Sequence, residues 1–74
     1  MDQVVANALA AIEGGDWARV KPLLHPYLQW TGPGGQTVRG RTKVLSQLAR
    51  RPPAGLPVRY ELRDGQIYRW VEAD

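Results

Sequence analysis

Seventy-four residues make one domain, and a small one: a chain of this size buries only about 60% of its unfolded surface, which leaves a thin margin of stability. The composition offers no cysteine for a disulfide and a single histidine, His25, for a metal, so of the usual supports of small domains only oligomerisation is left. The net charge of +3 is uneven, because the stretch from Trp17 to Tyr60 carries Arg19, Lys21, Arg39, Arg41, Lys43, Arg50, Arg51 and Arg59 but no Asp or Glu. Without a reader motif, that basic middle implies at most weak, salt-sensitive DNA binding, so no specific nucleic-acid partner is expected. The first residues lack a basic region ahead of an apolar run, and no run reaches membrane length. A cytoplasmic location and no membrane partner are therefore expected.

Taken in chain order, Val4, Val5, Ala8, Leu9 and Ile12 recur at helical spacing, which predicts an amphipathic helix. Asp2 is placed to cap it and Gly14-Gly15 to stop it. Asp16 then caps a second helix with Trp17, Val20, Leu23 and Leu24 as its apolar residues, and Pro22 predicts a kink or an end near Lys21. After Pro26 the stretch Tyr27-Leu28-Gln29-Trp30-Thr31 reads as extended, with either Leu28 and Trp30 or Tyr27 and Gln29 inward. Gly32-Pro33-Gly34-Gly35 is a turn by composition, joining this stretch to a short strand, Gln36-Thr37-Val38-Arg39. No P-loop Lys-Ser/Thr follows the glycines, so a plain hairpin connection is preferred to a phosphate cradle. Gly40-Arg41-Thr42 opens a third helix with Val44, Leu45, Leu48 and Ala49 on one face, ended by the proline-rich stretch 52–57.

The last segment is the strongest signal. Two alternating runs flank Asp64-Gly65, which predicts a hairpin over residues 58–72 with a type I′ turn. Strict alternation pairs Arg63 with Gln66, Leu62 with Ile67, Tyr60 with Arg69 and Val58 with Val71. One face is then Val58, Tyr60, Leu62, Ile67 and Val71 with Arg69. The other is Arg59, Glu61, Arg63, Tyr68, Trp70 and Glu72.

Gly15-Asp16-Trp17, Leu23-Leu24-His25-Pro26 running into Leu28-Gln29-Trp30, Gly40-Arg41 with Val44-Leu45, and Arg63-Asp64-Gly65-Gln66-Ile67 follow one another in an order that resembles the SnoaL-like branch of the nuclear transport factor 2-like (NTF2-like) superfamily. The similarity covers nearly the whole chain. It implies a single α+β domain over residues 1–74: a reduced NTF2-like (cystatin-like) cone with helices packed on a curved, mainly antiparallel sheet of about four strands. Members of that family are cyclases, isomerases, epoxide hydrolases or binding proteins, and they often dimerise. This chain departs from the pattern by lacking two strands between the third helix and the hairpin, and by having Tyr27 where an Asp often follows His-Pro.

The acids Asp2, Glu13, Asp16, Glu61, Asp64 and Glu72 fall at caps, in a turn or on the face opposite the apolar one, so none is expected in a pocket. Ser46 lies mid-helix without an elbow, which argues against a hydrolytic triad. The expected function is a non-catalytic, homodimeric module that binds a small apolar or anionic molecule or a protein, with no cofactor and no metal. Ligand candidates are Trp17, His25, Trp30, Tyr60 and Arg69. The alternative is a small cyclase- or isomerase-type enzyme using His25, Tyr60 and Arg69. Exposed aromatics beside arginines have the composition of interface anchors, so Arg59, Glu61, Tyr68 and Trp70 are the expected dimer contacts.

Overall fold

A computed structural model describes residues 2–73. Helix α1 spans Gln3–Glu13 and presents Val5, Ala8, Ala11 and Ile12 inward, the face its 3.6-residue period predicts. The Asp2 carboxylate accepts from the Val4 N–H at 2.9 Å, which satisfies one of the free donors of the first turn. At the other end, the Gly15 N–H donates to the Ile12 carbonyl and the Asp16 N–H to that of Ala11. That pair of bonds is a Schellman stop.

Helix α2 is a single turn, Trp17–Val20, running into a 3₁₀ turn, Lys21–Leu23. Pro22 ends the α-helix where its ring and missing N–H require. Asp16 occupies the N-cap position, but its side chain makes no capping bond; its carbonyl accepts from Arg19 and Val20 instead. Leu24, read as helical from sequence, already belongs to strand β1, Leu24–Thr31. Both Leu28 and Trp30 point inward and are fully buried. The glycine turn joins β1 to β2, Thr37–Arg39, through Gly32 N–H to Gln36 and Gly35 N–H to Gly32 bonds. Helix α3, Arg41–Arg50, buries Val44 and Leu48 and leaves Ala49 exposed.

Strands β3, Arg59–Arg63, and β4, Gln66–Val71, form the hairpin. Asp64 and Gly65 have φ of 54° and 76°, the two positive values that a type I′ turn demands. Gly65→Val is expected to cost more than about 1 kcal/mol, because a β-branched residue tolerates positive φ poorly. A thermal melt shows it directly, and an unchanged melt would contradict the turn.

The sheet order is β2-β1-β4-β3, with β1–β2 and β3–β4 antiparallel and β1–β4 parallel. Helix α3 packs on β1 and β2, and α1 reaches β4. The sheet is mixed and open, with β2 and β3 at its edges.

The hairpin register departs from strict alternation. Arg63↔Gln66 and Leu62↔Ile67 pair as expected, but Glu61 then faces Arg69, Tyr60 faces Trp70 and Arg59 faces Val71. One step on β3 is matched by two on β4, so Tyr68 is an extra residue, a β-bulge. Since side chains alternate with period two, one inserted residue reverses every face beyond it. Arg69 therefore moves to the outer face, and Trp70 turns inward.

Candidate functional site

Two surfaces collect the candidate residues, and the bulge at Tyr68 decides which residue joins which. On the helix-covered side, Trp30 and Trp70 are register partners on neighbouring strands. Their rings stack at 4.5 Å between centroids with 9° between planes. Both are 0% exposed and sit in one cluster with Val5, Val20, Leu24, Leu28, Val44, Leu48 and Ile67. The stack lies in the core between helices and sheet. Trp30 is a core residue, and Trp17 packs half-buried against the same core.

Glu72 is the acid that alternation placed outside and the bulge brings in. Its Oε2 accepts from the Trp30 indole N–H at 2.9 Å. The expectation that no acid reaches the inner side is thus corrected: Glu72 does, as the acceptor for a buried donor that would otherwise be costly to leave unpaired. The Trp70 indole nitrogen is buried with no acceptor among the described residues.

On the outer face, Arg69 pairs with Glu61 at 3.5 Å, and Arg63 lies 3.8 Å from the same carboxylate. All three side chains are about half exposed, so these pairs contribute little stability. The Arg63 guanidinium also covers the Tyr68 ring at 3.9 Å, and His25 meets that ring edge-on at 5.2 Å. His25 Nδ1 accepts from the Tyr27 N–H at 3.0 Å. That bond holds a stretch of β1 in which five steps, Leu24 to Gln29, match only two on β4. Pro26 lies in this stretch and has no N–H to give the ladder.

The structure does not bring the three enzyme candidates together. His25 and Arg69 lie on the outer face, whereas Tyr60, opposite Trp70, belongs to the inner one. Of the four expected dimer contacts, Arg59, Glu61 and Tyr68 remain outside. Trp70 is the correction: it is wholly buried and offers no surface to a partner. Surface hollows lie beside Asn7, Gly14 and Arg19, beside Leu56 and Glu72, and beside Gln36, Arg50 and Arg51, and these three are lined by none of the ligand candidates. No cluster of three metal-ligating side chains occurs among the described residues, and no described helix is long and apolar enough to cross a membrane.

What alternation did not reveal is how bare β3 and the residues leading into it are. Leu56 is 48% exposed, Val58 62% and Tyr60 40%. Tyr60, opposite Trp70, stands on the side of the sheet that carries the core. Leu56, Val58 and Tyr60, with Tyr27 on β1, are the exposed large apolar side chains of the described surface, and Tyr60 stands on an open sheet edge.

Helices on one face of an open, mixed four-stranded sheet, closed by a C-terminal hairpin, define an α+β domain of the NTF2-like fold. The chain is similar to the crystal structure of an NTF-2 like protein of unknown function from Burkholderia xenovorans LB400, with a TM-score of 0.69 and 14% identity over 97% of this chain and 81% of that chain. No protein-family model and no curated protein matches the sequence. The fold that the motif order implied is thus the fold observed.

Proposed function

We propose that this chain is a non-catalytic, shortened NTF2-like domain that acts as a protein interaction module and associates with itself as a homodimer. The Trp30–Trp70 stack carries the reading. It puts two large rings, both fully buried, where a domain holding a small molecule needs room. The exposure of Leu56, Val58 and Tyr60, on β3 and the residues leading into it, supports contact with another protein, because apolar side chains at an open sheet edge favour being covered. A chain of this length also gains core by association.

Sedimentation is the test. The protein is expected to run at about twice its 8.3 kDa mass at tens of micromolar, where even a weak interface holds. A single species of monomer mass at that concentration would overturn the reading.

A further inference from the structure

We infer that the homodimer forms by antiparallel pairing of β3 with the β3 of a second copy, about a two-fold axis passing through Tyr60, so that the two sheets join into one. The inference rests on the interaction-module reading above and adds to it a strand, a register and an axis.

Strand β3 has a strand neighbour on one side only. The opposite edge, β2, is three residues long, whereas β3 has five, Arg59–Arg63, with no proline within it. Short strands, prolines and bulges are the usual guards of an edge, and the hairpin's extra residue, Tyr68, sits on β4 rather than on β3. The two-residue turn makes Arg63 and Gln66 the closing hydrogen-bonded pair. Alternation along β3 then directs the N–H and C=O groups of Arg63, Glu61 and Arg59 toward β4, and those of Leu62 and Tyr60 toward the open edge. Tyr60 thus presents both groups needed to form a hydrogen-bonded pair with the partner's Tyr60.

The side chains choose the register. With the axis through Tyr60, Tyr60 meets its own mate on the inner face, and Arg59 falls opposite the partner's Glu61 on the outer face. Symmetry repeats the Arg59–Glu61 pair. Arg59 has no ion pair within its own chain among the described residues, and Glu61 is half exposed despite its contacts with Arg63 and Arg69. Moving the axis one residue to Glu61 sets carboxylate against carboxylate and Arg59 against the partner's Arg63, which disfavours the pairing. Moving it to Leu62 keeps opposite charges together but sets Tyr60 against the partner's Asp64, in the turn. Only the Tyr60 axis matches charge on one face and apolar surface on the other, as a self-complementary two-fold contact requires.

The chain has no cysteine, so one introduced thiol can pair only with another copy. Across a hydrogen-bonded antiparallel pair the Cα atoms lie about 5.5 Å apart, within the span of a disulfide. Tyr60→Cys is therefore expected to give a covalent dimer under mild oxidation. Arg63→Cys, about 20 Å from its mate in this register, is expected to stay uncrosslinked. Arg59→Glu is expected to weaken association at least about tenfold by opposing two carboxylates twice, and adding Glu61→Arg to restore it. If the unmodified protein sediments as a dimer but Tyr60→Cys does not crosslink, or Arg63→Cys crosslinks equally well, the strand pairing is wrong and the module reading stands. If it sediments as a monomer, both fall.

Discussion

Replacing Trp70 by alanine is expected to remove a large part of the stability of the fold. The ring is fully buried and stacked on Trp30, and truncating a buried tryptophan costs about 3–5 kcal/mol through lost burial and the cavity left behind. A domain of this size has a total stability of about 4–11 kcal/mol, so one substitution removes a large part of it. Trp70→Phe should be far milder. It keeps an aromatic against Trp30 and deletes an indole N–H that is buried without an acceptor, a donor whose desolvation costs about 1–3 kcal/mol. Trp30→Phe removes the donor to Glu72 and leaves that carboxylate without its partner, so it should lose more than Trp70→Phe. Urea melts are expected to order the midpoints as wild type, Trp70→Phe, Trp30→Phe and Trp70→Ala, from high to low. A Trp70→Ala midpoint equal to wild type would contradict the buried stack.

The same tryptophan shows where reading the sequence stops. Helix α1 was legible because its capping aspartate, 3.6-residue period and glycine stop agree with one another, and local agreement of that kind leaves few alternatives. The hairpin turn was legible because Asp-Gly answers a specific demand on φ. The bulge was not, since nothing about Tyr68 marks it as extra. Its effect nevertheless spreads to Arg69, Trp70 and Glu72, each of which changes face. A trace of it exists in retrospect: Ile67 and Trp70, large apolar residues three apart on one strand, can share a face only if a residue is inserted between them. The filled interior followed from that same slip, because Trp30 needed Trp70 as its neighbour to close the space. Strand β1 hides a comparable irregularity around Pro26, where parallel pairing with β4 is broken. Pairing between strands set both.

The second large effect is expected at Gly40, the residue between β2 and α3. Its φ of 94° and ψ of 135° place it in a region that residues with a side chain enter at a cost of about 1–3 kcal/mol. A Cβ built there meets nothing within 4 Å, so the cost is one of backbone conformation and not of crowding. The conformation is fixed from both sides. The Gly40 N–H donates to the Leu28 carbonyl at 2.9 Å, and its own carbonyl accepts from Val44 at 3.0 Å. One residue thus continues the β1–β2 ladder and starts the helix that lies over it. Gly40→Ala is expected to destabilise by about 1–3 kcal/mol. Gly40→Asp separates two effects of opposite sign, because aspartate at an N-cap normally gains a few tenths of a kcal/mol over glycine. Here that gain is smaller than the strain, so Gly40→Asp should also lower the melting temperature, although capping preference alone predicts a rise. An Asp variant more stable than wild type in a thermal melt would show that α3 starts without the positive φ.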